Sequence, residues 1–110
     1  MKLYLDTSSP RTILKLDDSH YEWDSSRDLG MHLLKFIHDK LAQHNRSWQD
    51  LTELHFFTGP GSFTGLRIGA TIINTLASEL HLPIYDQTGQ KLKIAIPIYG
   101  KPAATTMPKK

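Results

Sequence analysis

The stretch Gly59–Ala77, GPGSFTGLRIGATIINTLA, constrains the fold more than any other part of the sequence. The run before it, Leu54-His55-Phe56-Phe57-Thr58, is short, aromatic and apolar, which predicts a buried strand. Three glycines and a proline then fall within seven residues, too flexible and too broken for the strand to continue. From Thr64 onward the apolar positions recur at helical spacing. A strand, a tight glycine turn and a helix therefore follow one another directly. The first N–H groups of such a helix point out of the turn and attract anions or another protein's acidic groups.

The familiar versions of this arrangement do not fit. A P-loop requires Gly-Lys-Ser/Thr after four spacer residues, whereas Gly65 is followed by Leu66 and Arg67. A dinucleotide fingerprint would use Gly59 and Gly61, but Thr64 stands where its last glycine belongs. A nucleophile elbow, Gly-x-Ser-x-Gly, is missed by one residue at Gly61-Ser62-Phe63-Thr64.

A longer pattern does fit. The loop Gly59, Pro60, Gly61, Ser62, Phe63, Thr64, Gly65 with its continuation LRIG closely resembles the signature of the TsaB/YeaZ family. These are the dimerisation subunits of the bacterial tRNA threonylcarbamoyladenosine synthase. LYLDTSS is similar to that family's first strand and turn, SWQDLTELHFFTGPGSFTGLR to its approach to the loop, and HLPIYDQT to its next strand. The resemblance runs in order over about residues 1–88, and the end, PIYGKPAATTMPKK, resembles the family's C-terminus with Gly100-Lys101 in place of a leucine-arginine pair. Only Gly89–Ala95 separates those pieces, where the family carries a second actin-like lobe. The resemblance thus implies a first lobe joined directly to a tail, and the expected division is a lobe over residues 1–100, ending in an edge strand, and a flexible basic tail over 101–110.

Length and composition agree with one small domain. A chain of 110 residues can bury a real core, and 39% apolar and 22% charged residues are ordinary for a globular protein. No apolar run approaches the roughly 20 residues of a membrane span, and no signal peptide opens the chain. The absence of cysteine excludes disulfides and thiolate metal sites and fits the cytoplasm. Residues 1–90 hold eight Lys/Arg against eleven Asp/Glu, while residues 91–110 hold five lysines and no acid. Such a tail is either a solvated appendage or a contact for RNA or an acidic partner.

Taken in order, Lys2–Thr7, Thr12–Leu16 and Tyr21–Trp23 alternate and are joined by short turns, which predicts an antiparallel meander. Ser26 or Asp28 can cap a helix over about Leu29–His44. Pro83–Gln87 reads as a strand, and Thr88-Gly89-Gln90 as a hairpin turn into Lys91–Ile98. In that last strand Leu92, Ile94, Ile96 and Ile98 share one apolar face, and Pro97 assigns it to the sheet edge. The order β-β-β-α-β-α-β-β predicts an α/β layer with a mixed sheet and two main helices. A ribonuclease H-like lobe of the actin-like ATPase superfamily, which the family resemblance implies, has that form.

Both helices carry more apolar surface than one sheet can cover. The first has Leu29, Leu33, Phe36, Ile37 and Leu41 on one stripe, and Met31, Leu34, His38 and Ala42 on a weaker second. The other has Leu66, Ala70, Ile73, Ala77 and Leu80, and then Ile68, Ile72, Thr75 and Leu76. A helix buried on two sides looks like this; a surface helix does not. Arg67, near the positive end of its helix, requires an offsetting group: a partner carboxylate, a phosphate, or a nearby acid such as Asp86. Gly65 and Gly69, four residues apart, permit close approach either by another helix or by the protein's own sheet.

Catalytic readings are weaker. Asp6-Thr7-Ser8 is a candidate phosphate turn of the actin-like kind, or a turn carboxylate accepting local N–H groups. A two-metal nuclease needs converging acids, and none lies on Leu54–Thr58. His32, His38 and His44 are six residues apart, not the three or four of a helical chelating pair, so no metal site is expected. In the resembled family the two helices pack against the equivalent pair of the catalytic subunit, TsaD, in a four-helix bundle, and the subunit itself is inert. The expectation is accordingly a non-catalytic scaffold with no cofactor of its own. Metal and ATP would belong to TsaD-like and TsaE-like partners, and tRNA would be met only through the complex. The alternatives are a minimal actin-like ATPase domain and a homodimeric module built on the same helices.

Overall fold

The computed structural model describes residues 1–25 and 29–98. The helix cap expected at Ser26 or Asp28 and the tail over 101–110 lie outside these residues. Six strands form one sheet in the order β3-β2-β1-β4-β5-β6. They are β1 (Lys2–Asp6), β2 (Arg11–Leu16), β3 (Ser19–Asp24), β4 (Glu53–Phe56), β5 (Ile84–Tyr85) and β6 (Lys91–Leu92). The helices are α1 (Leu29–Gln43) and α2 (Phe63–Leu80), with a short 3-10 turn at Trp48–Asp50. The element order and the mixed sheet expected from the sequence are both present.

β1, β2 and β3 form the antiparallel meander, with Leu3 opposite Leu16 and Leu14 opposite Tyr21. β4 joins β1 in parallel, Leu3 beside Leu54, and β5 joins β4 in parallel. Each strand alternates, so one register puts Leu3, Leu5, Leu14, Leu16, Leu54, Phe56 and Ile84 on the same side, all buried. Both helices cover that side. α1 contributes Leu29, Leu33, Ile37 and Leu41; α2 contributes Leu66, Ala70, Ile73 and Leu76. Each fully buried aliphatic side chain is worth roughly 1.5–3 kcal/mol, so this single layer dominates stability. Trp23 stacks on Phe36 with centroids 5.0 Å apart and seals the β3 edge onto α1. The opposite side of the sheet, with Tyr4, Lys15, Glu22 and His55, has no helix over it among the described residues.

The end of the sheet departs from expectation. β5 is two residues, not five, and the strand predicted over Lys91–Ile98 pairs only at Lys91–Leu92. The hairpin turn between them is present. The Asp86 N–H donates to the Gln90 carbonyl at 2.9 Å, and Gly89 takes φ 90°. Beyond Leu92 the chain leaves the sheet and crosses to α2, because Asn74 offers it a better partner than a lengthened β5. The Ala95 N–H donates to Asn74 Oδ1 at 2.6 Å, and Asn74 Nδ2 donates to the Ala95 carbonyl at 3.1 Å. The Ile98 N–H then donates to the Thr58 carbonyl at 2.6 Å. In this strap Ala95 is buried, while Ile94, Ile96 and Ile98 are exposed, the reverse of the apolar face predicted for them.

Candidate protein-docking face

The glycine loop is held by its own chain. The Ser62 N–H donates to the Ser8 carbonyl at 2.7 Å, and the Ser62 hydroxyl accepts from Gly65 N–H at 3.2 Å, capping α2. The bond between Gly59 and Pro60 is cis, and Gly59 has φ 118°. A Cβ on Gly65 would collide with the Thr7 carbonyl oxygen, and one on Gly69 with the Thr7 hydroxyl. The two glycines thus serve close approach to β1's own end, the second of the alternatives left open by the sequence. Phe63 opens α2 and is exposed.

The candidate phosphate turn is similarly engaged. Asp6 Oδ1 accepts the Ser8 N–H at 2.9 Å, a local turn bond. Thr7 is buried, and its hydroxyl donates to the Gly65 carbonyl at 2.6 Å. Ser8 supplies the carbonyl that holds Ser62. These groups fasten β1 to the loop. Among the described residues no three His, Cys, Asp or Glu side chains are grouped to hold a metal ion.

The outer sides of α1 and α2 are different. Met31 is 81% exposed and Leu34 45%, while Ile68 and Ile72 are half-buried. His38 and Ala42 are exposed on the same helix, and the His38 ring lies 6.2 Å from that of Trp48. Thr75 is exposed and its hydroxyl donates back to the Thr71 carbonyl at 2.8 Å. Leu76 is only 7% exposed; it belongs to the core and shows one edge. Of the residues assigned from sequence to a partner, Leu76 is thus the one that the chain itself buries.

Two hollows lie along the crevice between the helices. One, of about 380 Å³, is lined by Gly30, Thr64, Arg67, Ile68, Thr71 and Ile72. The other, of about 520 Å³, is bounded by Leu34, His38, Trp48, Leu76, Glu79 and Leu80. Arg67 follows the first turn of α2, with its guanidinium 5.4 Å from the centre of the Phe63 ring. It has no ion pair among the described residues. Asp86, one of its expected offsets, is committed to its own turn. The Thr88 hydroxyl donates to Asp86 Oδ1 at 2.6 Å, and that bond, with nearby backbone N–H groups, holds the carboxyl below its ordinary range. At the second hollow Lys35 donates to Asp39 Oδ2 at 2.9 Å, which lowers the Asp39 carboxyl likewise.

Sequence reasoning assigns Trp48 no role at this face and places Leu80 on the first stripe of the second helix alone. The signal for Trp48 was a lone large aromatic in an otherwise hydrophilic stretch, Arg46–Asp50.

The family model described as tRNA N6-adenosine threonylcarbamoyltransferase, TsaD, matches residues 24–86, more than half of the chain. The chain belongs to that family. Within it, the similarity is to TsaB and YeaZ. The tRNA threonylcarbamoyladenosine biosynthesis protein TsaB of Bacillus subtilis is 44% identical over 48 residues, 44% of this chain and 21% of that protein. The Escherichia coli TsaB is 36% identical over 67 residues, 61% of this chain and 29% of that protein. The solved structure of YeaZ from Pseudomonas aeruginosa superposes with a TM-score of 0.68 at 27% identity, covering 77% of this chain and 42% of that one. The actin-like, ribonuclease H-like architecture expected from the TsaB/YeaZ resemblance is therefore present, and the matched part spans less than half of each of these relatives. The family match includes α1, the glycine loop, α2 and β5, the elements that build the crevice.

Proposed function

We propose that this chain is a non-catalytic scaffold that docks a TsaD-like threonylcarbamoyltransferase through the outer sides of α1 and α2, and so supports tRNA threonylcarbamoyladenosine formation. The observation that carries it is the coincidence of the family match with the apolar crevice. Met31 and Leu34 on α1 and Ile68 and Ile72 on α2 expose or half-expose large aliphatic surface, and Leu34, Ile68 and Ile72 line the two hollows. Large exposed apolar patches of this kind mark sites of association. By this account the chain acts by stabilising its partner's conformation, with metal and ATP handled by TsaD-like and TsaE-like subunits and tRNA met through the assembly.

The test is a titration of the full chain with a TsaD subunit. Ile72→Asp places a charge in the crevice at a half-buried position outside the fully buried stripe of α2. It is expected to reduce binding by at least about a hundredfold, since burying an unpaired carboxylate costs several kcal/mol. A thermal melt within a few degrees of the parent checks the fold. Unchanged affinity in a folded Ile72→Asp variant would show that the helices are not the docking face. Complementation of cells lacking the normal subunit, read out as tRNA modification, tests the biological role.

A further inference from the structure

Resting on the reading just given, we infer that Arg67 receives a carboxylate of the docked protein and Glu79 a cation, so that the crevice accepts a helix charged in one direction only. Three observations carry this. First, the two hollows are unequal. The one at the start of α2 is lined in part by Arg67, and the one at its end in part by Glu79. Second, neither group is neutralised by another of the described residues. Among the described residues Arg67 and Glu79 form no ion pair, whereas Lys35, the other strong charge beside the second hollow, already holds Asp39. Third, Arg67 is oriented in advance by the Phe63 ring beneath it. A guanidinium fixed in place loses less freedom when it forms a paired bond to a carboxylate.

The spacing defines the occupant. Twelve residues separate Arg67 from Glu79, about 18 Å along a helix rising 1.5 Å per residue. Ile68 and Leu76, one at each hollow, are eight residues apart, or about 12 Å. A helix lying in this crevice would carry apolar anchors at i and i+7 or i+8, an acidic side chain at the end over Arg67, and a basic one at the end over Glu79. Reversing it would place like charges together at both ends, which selects one direction of docking.

Calorimetric titration of the full chain with a TsaD subunit at low salt separates this from the parent reading. Arg67→Glu is expected to weaken binding at least about tenfold and Glu79→Lys about threefold, as charge pairs at an interface behave, with Arg67→Lys between Arg67→Glu and the parent, because lysine keeps the charge and loses the planar fork. The Arg67→Glu deficit should shrink as salt rises to about 0.5 M, and a single acidic-to-lysine change on the partner should restore binding to Arg67→Glu. If Ile72→Asp abolishes binding while Arg67→Glu and Glu79→Lys match the parent, the charge assignment is overturned and the docking face stands. If the unmutated chain does not bind, both are overturned. Light scattering that finds the chain dimeric, with Arg67→Glu breaking the dimer, would assign the crevice to a second copy and also overturn it.

Discussion

Gly65→Ala is expected to destabilise the chain by about 3 kcal/mol, near the upper end for an inserted methyl group in a packed core. The change would ordinarily help, because alanine is better than glycine in a helix interior by about 1 kcal/mol. Here the new Cβ has nowhere to go. It meets the Thr7 carbonyl oxygen, a backbone atom at the end of β1, and not the tip of a side chain that could rotate away. The Thr7 hydroxyl simultaneously donates to the Gly65 carbonyl at 2.6 Å, so moving α2 outward breaks that bond in a buried place. Gly30→Ala is the control. Its Cβ would lie 3.5 Å from Ile68 Cδ1, ordinary contact, so it should be neutral or stabilising by some tenths of a kcal/mol. For a domain of this size 1 kcal/mol is about 4–8 °C in Tm, so the two variants should melt at least about 10 °C apart. Equal melting temperatures would mean that α2 does not sit on β1 as closely as described.

That contact also explains how much of the molecule the sequence discloses. Alternation in Leu3, Leu5, Leu14 and Leu16, and the 3.6-residue recurrence of Leu29, Leu33, Ile37 and Leu41, are local and strong, so strands and helices fall where periodicity places them. The glycine spacing at 65 and 69 is visible too, but what approaches them is not. Only the parallel pairing of β1 with β4 brings Thr7 beneath α2, fifty-eight residues away in sequence. The candidate docking face divides in the same manner. Met31, Leu34, Ile68 and Ile72 follow from counting stripes, whereas Leu76 lies at an angle where stripe and core overlap, and tertiary packing buries it. Trp48 reaches the crevice through the 3-10 turn and carries no periodic signal.

The strap after β6 is the place where local pattern and tertiary context disagree most, and Asn74 decides it. Lys91–Ile98 alternates as a strand should, yet β5 offers only two residues to pair with, and Pro97 has no N–H to give. Asn74, a polar residue of α2, is half-buried and grips Ala95 from both sides. Asn74→Ala therefore leaves a buried N–H and a buried carbonyl without partners, at about 1–3 kcal/mol each if the strap stays in place. The cheaper response is for the strap to open and let water replace the amide. The expected result is local: hydrogen exchange at Ala95 and Ile98 accelerates by about 10- to 100-fold, and tryptic cleavage after the exposed Lys93 speeds up correspondingly. Amides of β1 and β4 should keep their protection, because their ladder does not involve the strap. Asn74→Asp retains an acceptor for the Ala95 N–H but sets a charged oxygen against the Ala95 carbonyl, so it should open the strap as well. Full protection of Ala95 in Asn74→Ala would show that the strap is held by its isoleucines and not by the amide. Their 54–62% exposure argues against that, since side chains so accessible contribute little burial to hold a segment down.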